Sequence, residues 1–273
     1  MIFPFHDTNP TRRPAVVTWA VVAVNVVALV RLQGLPSAEQ QALVFRRGFV
    51  PARIGQLFDR QPIVVEFRQE ALDLFSRRVV VVDRPVALPA APREILLSLL
   101  TCMFLHGGWF HLIGNMWYLL IFGNNVEDRL GHFGFALFYL FGGLAATSVH
   151  WAMDPTSRIP VIGASGAVAA VLGAYAITWP WARVRSLLFL MFFVTIIELP
   201  ALLVLGVWFL AQILGAVSTL EVDMSGGVAW WAHVGGFLAG LILMPLVSDD
   251  EARGRGSASG QAERSPFERE WEL

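Results

Sequence analysis

The sequence predicts an all-α fold, a polytopic membrane bundle of six transmembrane helices. Of the 273 residues, 56% are hydrophobic and only 15% are charged, whereas a soluble domain is about 25% charged. The apolar residues lie in blocks that approach or reach the ~20 residues needed to cross the hydrocarbon layer. The alternating pattern of membrane β-barrel strands is not seen, so helices are favoured as the spanning elements.

Six apolar segments are predicted to cross the membrane, each bounded by charges, prolines or loop residues. They are residues 15–30, 111–126, 133–153, 163–179, 201–220 and 228–247. The apolar segment Ile95–Leu105 is too short to cross and is predicted to lie in the interface or to re-enter. The apolar run Leu187–Ile197 is broken by Glu198 and Pro200, although a seventh span between Arg185 and Glu221 stays open as an alternative.

The spans organise the chain into one membrane domain, residues 1–248, and a tail. Residues 31–110 form a long first loop, in which a short β-like run is predicted at Val79–Val82 and no role is assigned to Gly55–Pro92. The tail, residues 249–273, is rich in charge, Gly and Ser and is predicted to be disordered.

Arginine placement predicts the orientation of the bundle. If the N-terminus is cytoplasmic, the short segments on that side carry Arg12, Arg13, Arg129, Arg183, Arg185, Arg253, Arg255, Arg264 and Arg269, while the short loops opposite carry Arg158. Since Lys and Arg concentrate on the cytoplasmic side, both termini are expected inside, in the cell (inner) membrane. The second, fourth and sixth spans then begin near the outer face.

Composition also excludes several classes of protein. A net charge of −1 gives no drive toward nucleic acid. The single cysteine, Cys102, excludes an internal disulfide and a cysteine metal cluster, and no HExxH motif is present, so no metal and no cofactor are predicted. The start lacks the basic and apolar regions of a cleavable signal peptide.

Polar residues that are unexpected in a membrane occur at the beginnings of three spans. His111 and Asn115 lie at the start of the second span, Ser165 at the start of the fourth and His233 at the start of the sixth. Because these three ends share one depth, the residues are expected to converge below the outer surface. Polar groups inside a bilayer usually face the bundle interior and mark a functional site.

Small residues predict close packing between the fourth and sixth spans. Ser165, Ala169 and Gly173 share one side of the fourth helix, whereas His233, Gly236 and Gly240 share a side of the sixth. Small side chains let helix backbones approach closely in lipid. A short serine side chain could then reach an imidazole at ~2.6–3.2 Å.

The chemistry predicted from these residues is nucleophilic. His111 and Asn115 are four residues apart on one helix face, and with the N–H of Ser165 at a helix start they would bind an anion. The second to the sixth spans offer no intramembrane Asp to orient His233, so packing is expected to fix its imidazole. The segment Thr219–Gly227 is proposed as a mobile lid.

These motifs resemble the rhomboid family of intramembrane serine proteases. The resemblance rests on Gly163-Ala164-Ser165-Gly166, on Ala232-His233 with Gly236 and Gly240, on His111-x-x-x-Asn115, and on the sequences FLHGG at 104–108 and FGNNVEDRLG at 122–131. It implies a Ser–His dyad of a serine endopeptidase, with Ser165 as the nucleophile, His233 as the general base and acid, and His111 and Asn115 in the oxyanion hole. Gly166, Gly173, Gly236 and Gly240 would pack the two dyad helices.

The resemblance also implies partners, namely transmembrane protein substrates in the lipid bilayer, and leaves the oligomeric state open. One departure is Ala169, where many relatives carry an aromatic residue near the histidine. Two rival functions stay open: a non-catalytic relative that binds membrane clients, and a transporter or channel, which would be built from inverted repeats that are not seen here.

Overall fold

The computed structural model describes residues 2–73, 78–190, 193–221 and 228–248. The predicted disordered tail, residues 249–273, lies outside these ranges. So does most of the predicted lid, Thr219–Gly227.

The chain is built mainly of helices. They are α1 (Val16–Gln33), α2 (Ser37–Arg47), α3 (Gln56–Asp59), α4 (Pro92–Thr101), α5 (Trp109–Met153), α6 (Ser165–Thr178), α7 (Ala201–Glu221) and α8 (Trp230–Val247), with short 3₁₀ helices at Pro51–Ile54 and Cys102–Phe104. The strands are β1 (Ile2–Asp7), β2 (Ile63–Asp73), β3 (Arg78–Leu88), β4 (Arg183–Leu190) and β5 (Phe193–Pro200).

The predicted helical membrane bundle is confirmed in its coarse form. Within the described ranges, four helices (α1, α5, α7 and α8) are long and apolar enough to span a membrane, and α6 is a shorter apolar helix. Helix α5 contains both the second and the third predicted spans in 45 residues, a length about twice the ~30 Å hydrocarbon layer. Its backbone leaves the helical conformation at Gly131, where φ is 70°, so the two halves can change direction there. Six crossings stay a prediction.

The expectation of an all-α fold is wrong, because the chain also forms two sheets. Strands β1, β4 and β5 make a three-stranded antiparallel sheet in the order β1–β4–β5, and β2 pairs with β3 in a hairpin. The β-like run at Val79–Val82 is confirmed as part of β3. The alternative of a seventh span is wrong for residues 183–190 and 193–200, which are strands. Val194, Thr195, Ile196 and Ile197 are all β-branched, which favours a strand there.

The core of the bundle is α6, which packs between α5 and α8. Residues 166–176 of α6 are buried throughout. A side chain at Gly236 or at Gly240 of α8 would overlap the backbone carbonyl oxygen of Gly166 or of Ala170, and one at Gly173 would overlap that of Phe237. Helices α6 and α8 therefore pack backbone to backbone, in the manner typical of small residues in membrane helices.

A carboxylate from α5 caps the start of α1. The Glu127 side chain accepts hydrogen bonds from the N–H groups of Val17 and Thr18, at 2.8 and 2.7 Å, and from the Thr18 hydroxyl at 2.7 Å. Helix starts leave N–H groups without helical partners and carry positive potential. Glu127 thus ties α1 to the end of the first half of α5.

Candidate active site at the upper end of the bundle

Helices α5, α6 and α8 begin at the same end of the bundle, called the upper end below. The His111 imidazole in the first turn of α5 contacts Gly163, which precedes α6. A side-chain carbon at Gly166, in the first turn of α6, would lie 3.9 Å from the Cβ of Ala232, in the first turn of α8. The four polar residues singled out from the sequence are therefore gathered at one end.

Ser165 is the first residue of α6, and the backbone before it turns sharply at Gly163. The φ of Gly163 is 125°, and a Cβ there would lie 2.7 Å from His111 Nε2 and 3.5 Å from Ser165 Oγ. Only glycine fits, because this φ is strained for other residues and because the space is filled by the two side chains. The His111 imidazole and the Ser165 hydroxyl therefore border the same small space.

His233 is held by an amide from α7. Its Nδ1 lies 2.8 Å from Oε1 of Gln212, and Nε2 of Gln212 donates to the Trp208 carbonyl at 3.1 Å. The carbonyl oxygen can only accept a hydrogen bond, so the Gln212 atom that faces His233 is the oxygen, which also only accepts. The proton of the neutral imidazole is thereby assigned to Nδ1, and Nε2 keeps the lone pair that a general base needs.

The expectation that packing alone orients His233 is therefore wrong. The signal that could have found Gln212 was in the sequence, since it is a lone amide in an otherwise apolar span and such groups mark partners. Packing contributes as well: the Trp208 and Trp230 rings lie 6.0 and 6.1 Å from the His233 ring, centroid to centroid. These two indoles are near the imidazole, whereas the position on α6 where many relatives carry an aromatic residue is Ala169.

Ser165 and His233 lie on neighbouring turns of α6 and α8, and in the described part of the chain no hydrogen bond joins their side chains. The backbone contact between Gly166 and Gly236 and the proximity of Gly166 to Ala232 place the two residues at the same helix crossing. Hydrogen bonds of this kind often close only when substrate is bound.

Asn115 is paired with His106, a residue of the loop before α5. The Asn115 Nδ2 donates to His106 Nε2 at 3.0 Å, and the Ala164 N–H points at the same nitrogen at 3.4 Å. Burial lowers the pKa of His106 to about 4, and the neighbouring His111 contributes in the same direction. A neutral His106 that accepts from both groups fixes Asn115 while leaving its second amide hydrogen for another acceptor.

A cavity of about 380 Å³ adjoins the loop at His106, and its polar lining is Gln33, Gln40, Gln41 and His106. Several polar partners in a space of this size suit bound water. Within the described ranges, no group of three His, Cys, Asp or Glu residues is placed to hold a metal ion.

Comparison with known proteins identifies relatives of this chain. The family model described as Rhomboid domain matches residues 93–250, which is more than half of the chain. The chain is 35% identical over 162 residues to Rhomboid-like protein 11, chloroplastic, of Arabidopsis thaliana, covering 54% of this chain and 51% of the relative. It is 30% identical over 181 residues to RHOMBOID-like protein 6, mitochondrial, of the same plant, covering 62% and 51%.

A mammalian relative is matched too. The chain is 28% identical over 159 residues to Presenilin-associated rhomboid-like protein, mitochondrial, of Bos taurus, covering 55% of this chain and 38% of the relative. The chain spans about half the length of the first two curated relatives. The match to the family model begins within α4 and includes every residue of the candidate site except the cavity-lining residues of α1 and α2.

Proposed function

Because this chain belongs to the rhomboid family and is a multi-pass membrane protein, we propose that it is an intramembrane serine protease that cleaves transmembrane proteins. Ser165 is the nucleophile and His233 the general base and acid. The observation that carries the proposal is the Gln212–His233 hydrogen bond, which leaves the lone pair on His233 Nε2.

The reaction begins with proton transfer from Ser165 Oγ to His233 Nε2 while Oγ attacks the scissile carbonyl carbon. The carbonyl oxygen becomes an oxyanion, which accepts from the Ser165 N–H, His111 and the second amide hydrogen of Asn115. The Ser165 N–H lies in the first turn of α6, where amides lack helical partners. His106 acts through Asn115 as a positioning residue.

The protonated His233 then gives its Nε2 proton to the leaving amine, and the C–N bond breaks to leave an acyl-enzyme. Deacylation follows with water as the nucleophile. His233 takes a proton from a water molecule as the water oxygen bonds to the acyl carbon. The bond between that carbon and Ser165 Oγ then breaks, and His233 returns the proton to Oγ. The cavity beside His106 is a source for that water.

The length of α6 supports a site below the membrane surface. Its 14 residues span about 21 Å, some 9 Å less than a ~30 Å hydrocarbon layer. If the lower end of α6 reaches one membrane surface, Ser165 is recessed from the other. We place both termini in the cytoplasm, count six crossings by dividing α5 at Gly131, and set the site toward the outer face.

Cleavage of a single-span model protein that carries a Gly-Ala break in its transmembrane segment tests the proposal. Wild type is expected to cleave it and to be labelled at Ser165 by a fluorophosphonate, whereas Ser165→Ala and His233→Ala lose cleavage and keep their fold. Ser148→Ala is the matched control, since the Ser148 hydroxyl only donates to the Leu144 carbonyl of its own helix. A wild-type protein that neither cleaves nor labels would be a non-catalytic, client-binding relative.

A further inference from the structure

Strand β1 lies along the first half of α5, at the depth of the membrane-spanning helices. The Trp117 Nε1 donates to the Pro4 carbonyl at 2.7 Å, and Asn125 Nδ2 donates to Oδ2 of Asp7 at 3.0 Å. Trp117 and Asn125 are separated by about 12 Å along the helix axis, with Asn125 farther from the upper end. From Asp7 to Pro4 the strand therefore rises toward the upper end of the bundle.

Strands β4 and β5 follow β1 into the same layer. Val184 pairs with Asp7 and Leu188 with Ile2, so β4 also rises from the lower end. Strand β5 descends again, with Val194 opposite Phe189 and Glu198 opposite Arg185. The end of this strand pair at Phe189 and Val194, called its tip below, therefore lies nearer the candidate site than the end at Arg185 and Glu198, called its base.

The side chains on the outward face of the sheet change from charged at its base to apolar toward its tip. At the base, Arg185 forms an ion pair with Glu198, at 3.8 Å. Toward the tip the outward residues become apolar, and Ile196 and Val194 are 55% and 61% exposed. On the opposite face, Val184 and Ser186 of β4 are fully buried against the bundle, whereas Phe193 of β5 is 76% exposed. Charge at the base and apolar groups above it are what a sheet that enters lipid requires.

One edge of this sheet is open. Strand β1 packs against α5, but in the described part of the chain the backbone of β5 pairs with β4 alone. Unpaired N–H and C=O groups of a sheet edge are not tolerated against hydrocarbon. Where the edge of β5 faces lipid, another strand must cover it.

Resting on the proposed function, we infer that the free edge of β5 binds an extended segment of the transmembrane substrate as a fourth strand. A protease needs its substrate unwound, because a helix hides its carbonyls, and an open sheet edge binds peptides in the extended form. The bound segment is the part of the substrate that lies below the scissile bond. Apolar side chains of that segment would continue the outward face of Ile196 and Val194.

The position of β5 favours a substrate over a second copy of this chain. Strand β5 leads directly into α7, which carries Trp208 and Gln212 beside His233. Helix α7 packs mainly on α8 and α6, and it meets α5 through the Trp208 and Tyr118 rings, 6.3 Å apart. A segment bound at the β5 edge thus lies on the side of the sheet away from β1 and α5, beside the strand that leads into α7.

Disulfide mapping in the Ser165→Ala variant tests the inference without cleavage. The native Cys102 is 2% exposed, so a cysteine introduced as Ile196→Cys is the reactive one. The probe is the single-span model protein, with one cysteine moved residue by residue below its Gly-Ala break. We expect crosslinks at every second position, because side chains of a strand alternate between two faces. Ile242→Cys on α8, where Ile242 is 63% exposed, is the control and should show no alternation.

A helical spacing of crosslinks, no crosslinks, or an Ile196→Cys dimer that forms without the probe would each overturn the inference. Parallel cleavage by wild type keeps the two proposals separate. Cleavage without alternation removes the β5 site and leaves the protease. Alternation without cleavage removes the protease and keeps the β5 edge as a binding site for membrane peptides.

Discussion

Replacement of Gln212 by Met should lower kcat about tenfold and leave KM nearly unchanged. The bond lost is the 2.8 Å contact between Gln212 Oε1 and His233 Nδ1. In the ground state both partners are neutral, and such a bond contributes about 1 kcal/mol. In the transition state the imidazole is charged and the bond contributes roughly 1.5–3 kcal/mol. The difference, about 0.5–2 kcal/mol, corresponds to a roughly 2- to 30-fold effect on the chemical step, with tenfold near its middle.

The assay is steady-state cleavage of the single-span model protein in bilayers, with kcat and KM determined separately. Ser218→Ala is the matched control, because Ser218 is on the same helix and donates only to the nearby Gly215 carbonyl. Gln212→Glu keeps an acceptor opposite Nδ1 and should retain more activity than the Met variant. Wild-type kcat in Gln212→Met, or a change confined to KM, would refute an orienting role for the amide.

Four further outcomes are expected. Gly163→Ala should lower kcat at least tenfold, because the new Cβ would lie 2.7 Å from His111 Nε2. Gly114→Ala is the control and should retain activity, because no atom lies within 4 Å of its new Cβ. Equal activities of the two variants would contradict this prediction. Gly240→Ala should lower the unfolding free energy by about 1–3 kcal/mol because it overlaps the Ala170 carbonyl, and Gly206→Ala, in open space, should not; thermal unfolding in detergent compares them. Asn115→Ala should keep folding and reduce kcat by ~10²–10³ if it contributes an oxyanion donor, and a change in KM alone would exclude that role. Burial lowers the pKa of His106 to about 4, below the ~6.5 of the unfolded chain. Because the unfolded state binds more protons between these two values, the free energy of unfolding should fall as the pH drops from 6.5 toward 4. His106→Gln should reduce this pH dependence, and an unchanged profile would rule out His106 as its source.

The helical bundle and the gathering of polar residues could be predicted from the sequence because both follow from hydropathy. An apolar run of sufficient length has few alternatives to a helix in a membrane. A serine or histidine within such a run needs a polar partner in the interior. Ser165, His111 and His233 were found in this way, and the structure places all three at the upper end of the bundle.

The three-stranded sheet could not be predicted by the same rule. Leu187–Ile197 is as apolar as a helix of the bundle, and hydropathy does not separate a strand from a helix over so short a run. Its partner β1 is contributed by residues 2–7, about 180 positions away in the chain, a pairing that local patterns do not contain. From the sequence, the second span ends at residue 126 and the third begins at residue 133, whereas α5 is helical through this segment except at Gly131.

Asn115 was predicted as a site residue from the sequence, but its pairing with His106 was not. Spacing places Asn115 on the face of His111 but cannot say which acceptor its amide meets first. The structure links the two residues, because His106 accepts a hydrogen bond from one amide hydrogen of Asn115 and so determines where the other amide hydrogen points. A substitution at His106 is therefore expected to act on kcat through Asn115 without contact with substrate.

The choice of an amide to hold His233 follows from the membrane setting. A buried carboxylate beside a neutral imidazole would leave an unpaired charge at a depth where desolvation costs several kcal/mol. Gln212 supplies the same acceptor without a charge, and its own N–H₂ is satisfied by the Trp208 carbonyl one turn earlier. The cost is weaker stabilisation of the imidazolium in the transition state than a carboxylate would give. In the proposed mechanism, a neutral orienting group therefore favours a stable resting site over maximal rate, and the proposed oxyanion donors must supply more of the transition-state stabilisation.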